Sequence, residues 1–352
     1  MKLLIITQKV DENDQLLGFF IEWIRLFSKK FEKVTVLCLE EGSLALPDNV
    51  RAISLGKDKG AGKLRQFLNF QFSIFNLRNN YDAVFVHMNP IWVVLGGWWW
   101  RLTGKKIFFW YTSGGVTAKL KLAEKFADTI FTASKESFRL PSKKVIVTGH
   151  GIDTELFKPD FSRSNLDRRT PRFDLGGIKI LSVGRVSPVK NYETLINAAK
   201  ILKDGGVNFS VTMVGETALD SDVRYLASLK FRIKSLKLEE NFSFIGKINH
   251  KELPKYYQSH DIFVHLSKTG SLDKTILEAM ACGCNVLSSN DSSRKFLKDE
   301  SVFKEDDPEE LAGKIKNLCG AGCRREFRDY VLENHDLDKL ISKIYATIND
   351  SR

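Results

Sequence analysis

Apolar residues along this chain fall into short unbroken runs separated by longer stretches with helical spacing. Residues 3–7, 34–39, 83–87, 106–112, 129–133 and 145–148 read as strands, several apolar at nearly every position, as strands covered on both faces are. Between them, residues 18–30, 63–78, 91–102 and 116–126 have helical spacing or length, so crossover segments link the strands. The alternation predicts a parallel sheet in a doubly wound domain over residues 1–160. From 161 to 177 the chain turns polar, marked by proline and arginine, which predicts an interdomain linker. The alternation then restarts. Residues 178–183, 209–214, 242–245, 262–266, a run around Val286 and 302–303 read as strands, and 191–202, 223–235, 251–258 and 274–281 as helices. This second doubly wound domain spans 178–335, and a last helix, 336–350, is expected to pack back on the first domain. Two such domains in tandem predict a ligand cleft between their facing carboxyl edges.

Composition narrows the picture without changing it. With 352 residues and 43% hydrophobic content the chain has material for two cores. The apolar run at the N-terminus is too short for a signal peptide, and no stretch reaches the roughly 18–20 apolar residues that span a bilayer. The expected location is the cytoplasm, with peripheral attachment to the inner face of the membrane left open. A formal charge of +11 favours anionic partners: nucleotide diphosphates or acidic lipid headgroups. Nucleic acid is not expected, because no helix-turn-helix, zinc-finger or RNP pattern occurs. The five cysteines are an odd number, so disulfides are not expected. Cys282 with Cys284 and Cys319 with Cys323 lack the usual C-x2-C spacing of a zinc site, and no metal is expected.

Two segments carry candidate chemistry. The first, Gly184-Arg185-Val186-Ser187-Pro188-Val189-Lys190, follows the first strand of the second domain and leads into a helix. A guanidinium, an ammonium and a helix N-terminus on one loop suit a diphosphate, although a solvated turn with incidental charges has the same composition. The second, SKTGSLDKTILEAMACGCNVLSS from Ser267 to Ser289, is a loop, a helix and a short strand. Glu278, about one turn inside that helix, is placed to accept hydrogen bonds from sugar hydroxyls.

Together these segments resemble glycosyltransferase family 4, and the likeness runs in order through ADTIFTASK, VIVTGHGIDTELFKP, ILSVGRVSPVKNYETLINAAKIL, FIGKINHKELPKYYQSHDIFVHLS and ILEAMACGCNVLSS. GRVSPVKN resembles the family's Gly-Arg-x-x-x-x-Lys loop, and LEAMACG the end of its E-x7-E signature. The resemblance implies a GT-B fold, two Rossmann-like domains facing across a cleft, and a retaining, metal-independent transferase without a cofactor. It implies that Gly184, Arg185 and Lys190 hold the donor diphosphate, and that Gly270, Ser271, Leu272, Thr275 and Glu278 line the donor, with Glu278 on the ribose. Two positions depart from the family pattern. Gly270 stands where the signature's first glutamate belongs, with Asp273 as its nearest substitute, and Ser113 stands near the position of a cleft histidine.

The remaining candidates come from strand ends. His87 is a candidate catalytic group beside Arg185, Lys190 and Asp273, while Ser113, His150 and Gly151 are candidate cleft residues; His265 also ends a strand, and each of these histidines could instead be a satisfied side chain, the reading preferred for His265. Residues 63–78 and the Trp98-Trp99-Trp100 run combine apolar and basic side chains, which fits either core packing or contact with an anionic membrane surface. The function expected is transfer of a hexose from a UDP- or GDP-sugar to a glycan or lipid-linked acceptor in cell-surface polysaccharide or glycolipid synthesis. The alternative is a catalytically impaired nucleotide-sugar-binding homologue or partner subunit. An epimerase or phosphorylase on a similar fold lacks its own sequence patterns here.

Overall fold

The computed structural model describes every residue except 15, 161–176, 269, 319–323 and 352. The chain divides into two units, residues 1–153 with 335–352, and residues 154–334. The proposed linker, 161–177, lies outside the described residues apart from Gly177, and residues 154–160 group with the second unit.

Unit 1 is built on β1 (Lys2–Val10), α1 (Phe20–Lys30), β2 (Lys33–Glu41), β3 (Val50–Ser54), α2 (Lys63–Asn76), β4 (Ala83–His87), α3 (Pro90–Leu102), β5 (Lys106–Trp110), α4 (Ala118–Phe126), β6 (Thr129–Thr132) and β7 (Val145–Val147). Its seven strands lie in the order β3-β2-β1-β4-β5-β6-β7 and pair in parallel. Alternate residues of β1 feed opposite cores: Leu3 and Ile5 pack under α1, and Leu4 and Ile6 pack with Phe70, Trp92 and Trp100 from α2 and α3. Short caps set the helix starts. The Asn89 side chain accepts the Ile91 amide with Pro90 at the first helical position, and Thr117 accepts the Leu120 amide.

Unit 2 contains β8 (Ile178–Val183), α5 (Tyr192–Asp204), β9 (Phe209–Val214), α6 (Asp220–Ser235), β10 (Phe242–Gly246), α7 (Leu253–Ser259), β11 (Ile262–His265), α8 (Lys274–Ala281), β12 (Asn285–Ser288), α9 (Pro308–Asn317) and α10 (Arg325–Asn334). Its parallel sheet runs β10-β9-β8-β11-β12, so strand order reverses between β8 and β11. The last helix, α11 (Leu337–Asp350), joins unit 1. Leu337, Leu340, Ile341, Ile344 and Ile348 enter the core beneath α1.

Four elements differ from the sequence expectation. β3 was not predicted, because at the sheet edge it is only half-buried and lacks a fully apolar run. Residues 302–303 form a single bridge, Ser288 to Val302, rather than a strand. α9 and α10 were not predicted either, since each buries only two or three residues among polar ones.

Candidate functional site

In a doubly wound sheet the loops on either side of the strand-order reversal diverge and leave a crevice at the carboxyl edge. In unit 2 those are the loops after β8 and β11, which carry both segments singled out by the sequence.

The loop after β8 is fixed by its backbone. The Gly184 amide donates to the Val214 carbonyl at 2.9 Å, and the Val186 amide to the Glu216 carbonyl at 3.0 Å. Gly215, φ 138°, passes so close that a Cβ there would lie 2.0 Å from the Gly184 oxygen. Asn191 takes the left-handed conformation that Asn tolerates, and its amide side chain donates to Asp306 at 3.0 Å. With the main chain held in this way, Arg185 is exposed and makes no ion pair among the described residues. Lys190 Nζ lies 2.6 Å from Asp273 Oδ2.

Asp273 immediately precedes α8, and the same Oδ2 lies 3.1 Å from Nε2 of His265, the last residue of β11. Burial pushes the Asp273 carboxyl up, but Lys190 and His265 outweigh it and hold the group well below the usual carboxylate range. Asp273 is therefore ionised. His265 is 2% exposed, and burial lowers its pKa against the pull of Asp273. The neutral ring donates from Nε2, while Nδ1 has no partner among the described residues. Ser187 Oγ and Thr275 Oγ1 are likewise buried without partners.

Glu278 is 4% exposed. Its Oε1 lies 3.0 Å from His250 Nε2, and its Oε2 accepts from the Tyr257 hydroxyl at 3.1 Å. Burial first, then the Glu278 charge, raises the Tyr257 pKa well above its normal value, so the phenol stays a donor. Next to Asp273, burial lowers Lys274 to about 7 although Glu278 and Asp273 both favour its charged form. The loop before α8 is tied from the far side: Ser292 Oγ donates to the Gly270 carbonyl at 2.5 Å, and Asn290 Nδ2 to the Ser271 carbonyl at 3.0 Å. Gly270 is left-handed, φ 65°, and Leu272 is buried.

The structure thus brings Lys190 and Asp273 into contact, with Gly184 and Arg185 on the same loop and Thr275 and Glu278 on the helix that Asp273 precedes. His250, Tyr257, His265, Lys274 and Gly215 complete the site; of these, the sequence points only to His265, as a strand-end histidine, and there it reads as a satisfied side chain rather than a site residue. His265 and Lys274 lie close to Asp273 in sequence, whereas Gly215, His250 and Tyr257 are brought to the site by segments distant from it.

The other candidates belong to unit 1. His87 is 2% exposed, stacks on Phe20 with ring centroids 4.1 Å apart, and has Nδ1 3.2 Å from Thr7 Oγ1. Met88, directly after it, has a positive φ of 67°, a strained geometry for a side chain of that size. Ser113 Oγ accepts the Gly115 amide at 3.5 Å. The His150 amide donates to His335 Nδ1 at 3.2 Å, and a Cβ on Gly151 would lie 2.9 Å from the Trp23 ring. A cavity of about 290 Å³ opens at the carboxyl ends of β1 and β2, lined by Gln8, Lys9, Asp14, Leu17, Leu39 and Glu40. Among the described residues no group of three or more His, Cys, Asp or Glu is placed to hold a metal.

Comparison with known proteins gives one family. Residues 164–331 match the family described as Glycosyl transferases group 1. Mannosylfructose-phosphate synthase of Agrobacterium fabrum is 30% identical over 152 residues, covering 42% of this chain and 33% of that protein. The amylovoran biosynthesis glycosyltransferase AmsK of Erwinia amylovora is 31% identical over 168 residues, covering 46% and 38%. The chain thus spans little more than a third of the length of these relatives. Among solved structures, Anabaena HepE in complex with UDP superposes with a TM-score of 0.77 at 17% identity, covering 99% of this chain and 100% of that one. Sucrose-phosphate synthase from Thermosynechococcus elongatus does so with a TM-score of 0.75 at 16% identity, covering 100% of both.

Proposed function

We propose that the chain transfers a hexose, with retention, from a UDP- or GDP-sugar to a glycan or lipid-linked acceptor, a reading supported by the match of residues 164–331 to the family described as Glycosyl transferases group 1 and by the GT-B fold. The observation that carries this reading is the loop after β8, where an uncommitted Arg185 and a Lys190 paired with Asp273 lie beside the strand reversal. Solved structures of Anabaena HepE with UDP and with UDP-glucose support a nucleotide-sugar donor.

In this reading the diphosphate bridges Arg185 and Lys190, whose charges stabilise it as it leaves. The bond from the sugar's anomeric carbon to the diphosphate oxygen breaks. The acceptor oxygen bonds to that carbon on the same face, and its proton passes to the leaving phosphate, so no protein nucleophile or metal is required. A carboxylate offers about four acceptor positions. His250 and Tyr257 occupy one on each oxygen of Glu278, orienting it and leaving the others for ribose hydroxyls. Asp273, at the α8 start, faces the donor sugar in place of the glutamate that Gly270 replaces. The transfer takes place on the cytoplasmic side of the membrane and serves cell-surface polysaccharide or glycolipid synthesis.

Thermal shift with UDP, GDP and their sugars, followed by donor turnover with and without EDTA, tests the proposal. The expected outcome is stabilisation by one nucleotide series and turnover that survives the chelator. Turnover abolished by EDTA overturns the metal-independent step. Gly270 at the signature position favours a second reading, a binding homologue or partner subunit, which binding without any turnover would support. No binding by any nucleotide would sink both.

A further inference from the structure

Helix α2 has two apolar faces, and the fold uses one. Phe70 and Ile74, a turn apart, are its only fully buried side chains and enter the core with Trp92 and Trp100. Leu64, Leu68, Phe72 and Phe75 recur at helical spacing on a different face and are 73%, 56%, 70% and 49% exposed. Phe67, at the edge of this stripe, is also exposed. Isolated exposed apolar side chains are ordinary, but four in register on one helix form a continuous patch. The patch extends to α3: the Phe75 and Trp99 ring centroids are 5.3 Å apart, and Trp99 contacts Trp98, itself 54% exposed.

The charges around this stripe are of one sign. Helix α2 contains no acidic residue, Lys63 and Arg65 are exposed at its start, and the Arg78 guanidinium lies 4.7 Å from the Phe75 ring centre. From Lys57 to Lys106 the chain has eight basic residues and two acidic ones, Asp58 and Asp82. Asp58 is engaged by Ser54, and Asp82 accepts the Lys2 amide. An acidic protein partner would match the charge but not the long apolar stripe. An interface of anionic headgroups over acyl chains matches both, since the apolar side chains enter the acyl boundary while Lys and Arg stay with the phosphates.

We propose that the Leu64–Leu68–Phe72–Phe75 face of α2, with Lys63, Arg65, Arg78 and Trp98, docks unit 1 on an anionic lipid surface. The contact lies in the interface and does not cross it, as among the described residues no helix is long and apolar enough to span a membrane. The inference rests on the exposed face and its charge, not on glycosyl transfer.

Co-sedimentation of the full chain with vesicles tests it. Phosphatidylcholine vesicles containing about 30% phosphatidylglycerol at low salt should pellet the protein, pure phosphatidylcholine should pellet far less, and salt near 0.5 M should weaken the contact. Leu68→Ser with Phe72→Ser should lower the vesicle affinity at least about tenfold, and Arg65→Glu with Arg78→Glu should remove the preference for anionic lipid. The substituted side chains are exposed, so an unchanged melting temperature is expected and separates lost docking from lost fold. Failure to pellet on anionic vesicles at low salt overturns the proposal, as does a Leu68→Ser/Phe72→Ser variant that binds like the parent. A concentration-dependent dimer that this variant breaks, without vesicle binding, would assign the face to a second copy of the chain instead.

Discussion

Asp273 holds two partners with one oxygen, and both partners hold it ionised. Its folded pKa lies below the unfolded value, so the unfolded chain binds more protons in the window between them. The stability Asp273 contributes is complete above about pH 4 and is lost as pH falls through the lowered value. Asp273→Asn should therefore lower the urea midpoint at pH 6 and flatten its fall on the acid side, as read from midpoints measured from pH 6 down to 3. Gly215 is a matter of space: a methyl group there meets the Gly184 oxygen at 2.0 Å, with φ unsuited to a side chain. Gly215→Ala should cost roughly 2–4 kcal/mol in chemical denaturation and displace the Arg185 loop. At this scale Arg185 and Lys190 were legible because both cations lie within one short loop. His250 and Tyr257 were not, because they act through the Glu278 carboxylate, which only the fold brings to them.

Helices and strands were legible to the degree that they are buried. β4, β8 and the 3–7 run of β1 are almost wholly buried and announced themselves as apolar runs, whereas β3, at the sheet edge, did not. The contrast extends to α11 and α2, which have similar lengths and amphipathic patterns. Ile344 of α11 is 0% exposed within the core beneath α1, and Ile344→Ala should destabilise the protein by about 2–4 kcal/mol. Phe72→Ser on the open face of α2 should change stability by less than about 0.5 kcal/mol, a difference measurable in paired urea titrations. Apolar spacing predicted both helices, and the packing of the last one on the first domain was expected; it did not say that α2 would leave a stripe uncovered.

At the scale of the molecule, the chain leaves unit 1 after Asp153 and returns to it at His335, and that return point titrates. Burial lowers His335 to about 4, and its Nδ1 accepts the His150 amide, which requires the neutral ring. The unfolded histidine titrates near 6.5, so the unfolded state binds more protons between about pH 4 and 6.5. Stability is full above that window and should fall by on the order of 2–3 kcal/mol as pH drops through it. His335→Gln, which keeps an acceptor but does not titrate, should show a shallower loss when melting is followed from pH 7 to 4. From the sequence alone came the two doubly wound halves, the cationic loop and the acidic helix position, because periodicity and local spacing carry that information directly. Tertiary structure decided that Lys190 meets Asp273, that Glu278 is held by His250 and Tyr257, and that the face of α2 stays open. These depend on which distant surfaces close against one another, and one-dimensional spacing does not contain that.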